Sequence, residues 1–406
     1  MQKKPFSKDF LWGAATSSYQ VEGGIEQCDW AEAAREGRVP PCGRACDHYH
    51  RFREDFALAK KMGHTAQRFS VEWSRIEPEE GKFDEKEIMH YREVLLALRA
   101  EGLEPYLCLW HWTLPLWLSH SGGIERADFP DIFARYAEYV MVHLGEFVSH
   151  VSTLNEPYTT IVNGWMRGTF PPFKAFPPMQ TVALPHASVC LPRSKKNWFA
   201  FFYFFTLANT LIRAHNSAYK KISAVAPTAK VSVVFQVLVC DGVGFLGKMW
   251  ARLISYHMNV RFLNRVAPFC DEIGINFYFW KTFFGKEVHK KTDMDWDARP
   301  FGIYHALMLA KKYKKPILVA EVGCADAKDT LRPWYIAETV RGVVRAVEEG
   351  ADVQGLFYWS LLDNYEWAHG FEKRFGLIEV NFDTQERTIR PSAWVLKEEV
   401  EKQLEK

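Results

Sequence analysis

The sequence predicts an α/β protein, a single (β/α)8 TIM barrel with its active site at the C-terminal ends of the strands, and three observations carry that prediction. Eight short apolar runs of strand length recur from end to end, at 10–15, 66–70, 104–109, 150–154, 230–235, 272–276, 317–320 and 355–359. Amphipathic stretches of helical period lie between them, at 53–62, 85–99, 131–144, 209–224 and 332–349. No linker, internal repeat or break in composition divides the 406 residues, so one domain over 1–406 is expected. Strands that alternate with crossover helices build a parallel sheet, and eight such units close into a barrel rather than a doubly wound sheet. No Gly-x-Gly-x-x-Gly or phosphate-binding loop opens any helix, so a nucleotide site lacks its main feature.

In chain order, the first two runs end near Thr16 and Ser70, and the third carries Cys108, a position for a reduced, buried thiol. The fourth run leads into Asn155-Glu156-Pro157 and the seventh into Glu321-Val322-Gly323. From Pro171 to Pro192 the chain is Pro-rich and irregular, and then turns sharply apolar over Trp198–Phe205. That run is too short to span a bilayer and is followed by Thr206, Asn209 and Thr210. It reads first as a barrel helix with an apolar outer face, and second as a membrane-surface or subunit contact.

A net charge of +2 provides no electrostatic case for a nucleic-acid partner. Aromatic residues make up 15% of the chain, a composition compatible with sugar stacking as well as with an aromatic core. The eight cysteines show no regular spacing, and Cys42-x3-Cys46 lacks a second ligand pair, so no metal or cofactor is expected. No signal-type apolar stretch follows Met1-Gln2-Lys3-Lys4-Pro5, which makes a cytoplasmic location the default expectation.

Glu156 and Glu321 are the two informative positions. A carboxylate at the end of a buried strand is costly to place unless it is used. Two of them at one barrel mouth are what a retaining glycosidase needs, with carboxyls about 5–5.5 Å apart.

Ordered motifs strengthen this. Phe10-Leu11-Trp12-Gly13-Ala14-Ala15-Thr16-Ser17-Ser18-Tyr19-Gln20-Val21-Glu22-Gly23 is followed by Cys46-Asp47-His48-Tyr49-His50-Arg51, Arg68-Phe69-Ser70 and His111-Trp112. Asn155-Glu156-Pro157 and Gly274-Ile275-Asn276 come next. The run Phe357-Tyr358-Trp359-Ser360-Leu361-Leu362-Asp363-Asn364-Tyr365-Glu366-Trp367-Ala368 and then Arg374-Phe375-Gly376-Leu377 complete the series. From Phe6 to Ser392 the chain closely resembles the family 1 glycoside hydrolases, the β-glucosidase and β-galactosidase family.

The resemblance implies roles. Glu156 resembles the general acid/base and Glu321 the nucleophile, whose charge is expected to raise the pKa of Glu156. Arg68 and Tyr278 resemble the groups that hold the nucleophile, and Asn155 the donor to the sugar 2-hydroxyl. Gln20, His111 and Trp367 resemble the contacts to the 3- and 4-hydroxyls, Glu366 the acceptor for the 4- and 6-hydroxyls, and Trp359 the stacking floor. Trp112 and Phe375 complete the implied substrate-binding set. Glu366 disfavours a 6-phosphorylated sugar, whose phosphate it would repel.

Four positions depart from the family pattern. Ala320 and Val322 flank Glu321 in place of threonine and asparagine, Thr113 stands where an aspartate is usual, and Val151 where a tryptophan often precedes the Asn-Glu-Pro element. The expected partner is a small-molecule β-glycoside or oligosaccharide. The expected reaction is hydrolysis of terminal β-D-glucosides, with β-galactosides or β-fucosides as further substrates. A transglycosidase shares the first half-reaction, and a non-catalytic glycan- or glycolipid-binding relative would be marked by loss of a glutamate that this chain retains.

Overall fold

The computed structural model describes residues 5–175, 195–285 and 290–405, with side chains omitted over 195–201. Eight parallel strands close into a barrel: β1 (Leu11–Ala15), β2 (Ala66–Ser70), β3 (Glu104–Trp110), β4 (His150–Asn155), β5 (Lys230–Gln236), β6 (Ile273–Phe277), β7 (Ile317–Val322) and β8 (Val353–Trp359). Each strand pairs with its neighbours in sequence, and β8 closes on β1 through pairs such as Leu11 with Gly355 and Ala15 with Trp359. The strands are buried on both faces because one face meets the barrel interior and the other the helices. Most of their residues are apolar, although β2 and β4 carry buried polar groups such as Gln67, Arg68, Ser152 and Thr153.

The interior is packed. Tyr106, Val234, Leu318, Ala320, Phe357 and Trp359 fill it, together with Ala15 and Ala66. A second apolar layer lies between strands and helices, and each helix shows how it is set. Helix Glu85–Ala100 starts at Asp84, whose carboxylate accepts from Lys86 N at 2.8 Å, and buries Ile88, Tyr91, Leu95 and Leu98 at helical spacing. Helix Arg332–Glu348 buries Tyr335, Ile336, Val340 and Val343, and the chain turns away at Gly350 with φ +84°.

Two strands are irregular where it matters. Along β7, Val319 pairs with Ile275 of β6, but the next partner of Asn276 is Glu321, so Ala320 is an extra residue. The same insertion appears against β8, where Leu356 pairs with Val319 and Tyr358 with Val322. Relative to β5, β4 gains one residue between Ser152 and Asn155. Such bulges re-aim the side chains that follow them.

The helix containing the aromatic run spans Lys195–Val225, starting well before the expected 209. Phe204 and Phe205 are buried, Phe204 against Tyr158 and Phe205 beside His257. The side chains of Trp198–Phe201, and Cys190 within the Pro-rich segment, lie outside the described residues. Among the described residues, no helix is long and apolar enough to cross a membrane.

Candidate active site

At the C-terminal ends of the strands a cavity of about 350 Å³ opens. It is lined by Glu156, Glu321 and Glu366, and by the rings of His111, Trp112, Tyr278, Trp359, Trp367 and Phe375. Glu156 follows β4 directly and has φ 44°, so it caps the short helix Pro157–Ile161 in a left-handed conformation. Trp112 (φ 81°) and Trp367 (φ 50°) also occupy this sparsely populated region. Backbone strain at three lining residues is the kind that the surrounding structure must hold in place.

Glu321 lies inside β7, with Val322 beyond it, rather than just past the strand. Ala320 and Leu318 already face the barrel interior, so strict alternation would turn Glu321 outward. The bulge at Ala320 breaks that alternation and directs Glu321 inward. Its carboxylate pairs with the fully buried Arg68 through Nη1 to Oε1, and Tyr278 OH donates to Oε2 at 3.0 Å. Glu321 is thus held by groups from β2 and from the segment after β6, not by Ala320 or Val322. The glycine that follows is required: a Cβ on Gly323 would sit 2.0 Å from the Trp359 carbonyl oxygen.

One chain of hydrogen bonds connects the two carboxylates. Arg68 Nη2 donates to Asn155 Oδ1 at 2.9 Å, and Asn276 Nδ2 donates to Asn155 Oδ1 at 3.3 Å and to Glu156 Oε1 at 2.7 Å. Trp112 Nε1 donates to the Asn155 carbonyl at 3.0 Å, and Asn155 Nδ2 approaches His111 Nε2 at 3.2 Å. Burial and the Arg68 charge hold the His111 pKa well below its usual value. The neutral ring accepting at Nε2 carries its proton on Nδ1, which has no hydrogen-bond partner among the described residues.

The electrostatics separate the acids. Burial first, and then the Glu321 charge, push Glu156 from the usual 4.5 to about 8. Burial, Glu321 and Glu156 push Glu366 to about 8 as well, and its Oε2 is buried without a partner among the described residues. Indole and imidazole rings line the same cavity: His111 stacks at 5.8 Å on Trp359 and at 6.0 Å on Trp367.

Arg68 and Asn155 sit behind the cavity wall, one hydrogen bond from its surface. Gln20 is buried and is not among the lining residues. Its Nε2 donates to Asn364 Oδ1 at 3.0 Å and to the Tyr365 carbonyl at 2.8 Å, and its Oε1 accepts from Ser17 at 2.6 Å. Gln20 therefore braces the segment that carries Glu366 and Trp367. Thr113 donates to the buried Glu72 at 3.0 Å, beside Ser18 and Ser74, which bond the same carboxylate.

Asn276 is a site residue that carried no assigned role in the sequence. The signal was a polar residue closing the apolar run of β6. Trp296, which packs on Tyr278 and Phe375, had no such signal because its loop has no pattern. Among the described residues no cluster of His, Cys, Asp or Glu could hold a metal ion. The Cys42 and Cys46 thiols donate to the carbonyls of Tyr19 and Asp363, both at 3.0 Å.

A parallel eight-stranded barrel with paired carboxylates and an aromatic cleft is the architecture of a glycoside hydrolase, and comparison with known proteins agrees. The sequence profile "Glycosyl hydrolase family 1" matches residues 2–241 and 271–404. Beta-glucosidase A of Acetivibrio thermocellus is 30% identical over 98% of this chain and 98% of that protein. The solved beta-glycosidase from Pyrococcus horikoshii superposes with a TM-score of 0.85 at 33% identity, covering 98% of this chain and 95% of that one. Beta-glucosidase from Thermotoga maritima in complex with deoxynojirimycin gives 0.85 at 27% identity, covering 99% and 100%. The chain belongs to glycosyl hydrolase family 1, and its substrate is a small-molecule glycoside.

Proposed function

We propose that this enzyme is a retaining β-glycosidase that hydrolyses terminal β-D-glucosides, with β-galactosides or β-fucosides as further substrates. The observation that carries the reading is the unequal treatment of two neighbouring carboxyls. Glu321 is paired with Arg68, whereas Glu156 is pushed to about 8 and holds its proton at neutral pH. One is equipped to attack and the other to donate.

In the first step a Glu321 oxygen attacks the anomeric carbon while Glu156 passes its proton to the departing oxygen, leaving a glycosyl ester on Glu321. Esterification removes the charge that helped to raise the Glu156 pKa, so Glu156 becomes the base that takes a proton from water. The water oxygen bonds to the anomeric carbon, Glu321 departs as carboxylate, and two inversions give net retention. Asn155 serves the 2-hydroxyl, the His111 Nδ1–H a ring hydroxyl, and Glu366 the hydroxyls farthest from the bond that breaks. Trp359 and Trp367 pack on the sugar's C–H face, and Phe375 and Trp112 close the walls. The β-glucosidase names of the relatives support glucose as the sugar.

The test is a panel of aryl β-glucoside, galactoside, fucoside and mannoside, with the product's anomeric configuration followed by NMR. Turnover of the glucoside with β-glucose released first is the expected result. No turnover of any aryl β-glycoside, or release of the α-anomer first, contradicts the reading.

A further inference from the structure

Residues 242–270 are the internal stretch that the family profile leaves unmatched. They form a helical run of Gly244–Ser255, a π-helical turn Tyr256–Val260 and Arg261–Val266. Helix Gly244–Ser255 packs on a parallel ribbon of Val239–Gly242 and Trp280–Phe283. A Cβ on Gly242 would come within 2.1 Å of the Gly247 backbone, so helix and ribbon touch through two glycines. Gly247, Ala251 and Ile254 make the buried face.

The opposite face is apolar and, among the described residues, exposed. Phe245, Leu246, Met249, Leu253 and Tyr256 form a stripe on it, with Phe245 82% and Leu246 60% exposed. Phe284, 70% exposed, and Val243 extend the patch at the ribbon's end. Lys248 and Arg252 border the stripe, and neither has an ion-pair partner among the described residues. No Asp or Glu occurs between Asp241 and Asp271, whereas Lys248, Arg252, Arg261 and Arg265 all do. A helix with an outward apolar stripe and a basic border suits the plane of an anionic membrane surface. A symmetric contact between two copies would instead gather four cations, Lys248 and Arg252 of each, along one apolar seam, where like charges repel.

The patch adjoins the cleft. Leu238, just before the ribbon, and Met258, in the turn after the helix, both line the cavity, alongside Val162, Phe235 and Phe279. We propose that the exposed face of Gly244–Ser255 docks on anionic lipid bilayers and opens the cleft to glycosides whose apolar aglycone resides in the membrane. The substrate half of this proposal rests on the β-glycosidase reading; the docking half does not.

The test is flotation of the full chain with phosphatidylcholine vesicles, with and without roughly one third phosphatidylglycerol. Wild type is expected to float with the anionic vesicles. Phe245→Glu/Leu246→Glu should cut the bound fraction by about tenfold or more, and Lys248→Glu/Arg252→Glu should remove the preference for anionic lipid. Both variants should hydrolyse a water-soluble aryl β-glucoside at the wild-type rate, which verifies their fold, while Phe245→Glu/Leu246→Glu loses activity on an alkyl glucoside embedded in the vesicles. Absence of wild-type flotation, or flotation of Phe245→Glu/Leu246→Glu equal to wild type, overturns the proposal. So does a wild-type dimer that becomes monomeric in that variant without any vesicle binding. Flotation without any glycoside turnover would leave docking standing and sink the glycosidase reading.

Discussion

The Asn276 amide donates to Glu156 Oε1 at 2.7 Å, which makes Oε2 the oxygen for the proton that the proposed mechanism gives to the leaving group. The same Nδ2 reaches Asn155 Oδ1, which Arg68 also grips while pairing with Glu321. Acid and proposed nucleophile are therefore positioned by one shared set of donors. Asn276→Ala should lower kcat/KM by roughly ten- to a hundredfold, in line with a hydrogen bond to an ionisable group. Because Asn276 favours the charged form of Glu156, its loss should also move the alkaline limb of the pH profile upward from about 8. A merely structural role for Asn276 would leave that limb in place.

For wild type, kcat/KM should fall as pH rises through about 8, where Glu156 loses the proton it must donate. Glu156→Gln should abolish the limb and still allow the first step for an activated aryl leaving group that needs no acid. A limb that persists in Glu156→Gln would assign it to another residue.

Glu366 connects the site to stability. Its folded pKa is about 8 against a usual 4.5, so the folded state keeps a proton that the unfolded chain has released. The unfolded state binds fewer protons in this window, so stability falls as pH rises from about 4.5 through 8. Glu366→Gln removes this penalty, and the gain in Tm over wild type should be larger at alkaline than at acid pH. Equal shifts measured calorimetrically on both sides of the window would refute the assignment.

Tyr278 donates to Glu321 Oε2 and touches the same carboxylate that Arg68 pairs with. Tyr278→Phe should reduce kcat/KM by roughly ten- to a hundredfold through loss of a charge-assisted hydrogen bond. A change below about twofold would mean that Arg68 alone positions Glu321.

Much of this was legible beforehand, for reasons visible in particular residues. The eight strands match the expected runs to within two residues at every end, because burial on both faces keeps most of their residues apolar. Glu156 stood out because it directly follows such a run. Glu321 stood out too, but its place inside β7 depends on the bulge at Ala320, and a bulge has no hydrophobic signature. This also answers the question raised by Ala320 and Val322: a small residue fits the extra position, and the carboxylate takes its contacts from Arg68 and Tyr278. Helix Gly244–Ser255 was not anticipated although its side chains follow a helical period, because Gly244 and Gly247, both poor helix formers, stand in its first turn. Gln20 pointed to sugar contact by resemblance, yet its amide is engaged by Ser17, Asn364 and Tyr365, a network that only the folded chain assembles.

The central claim is that Glu321 forms the covalent intermediate. Incubation with an activated 2-deoxy-2-fluoro-β-glucoside should trap it, since the fluorine slows both steps and the good leaving group restores only the first. Mass spectrometry of the intact chain should show one added fluoroglucosyl group, and peptide mapping should place it on Glu321. A label on Glu156, or a chain inactivated by substrate turnover without any covalent label, would contradict the mechanism.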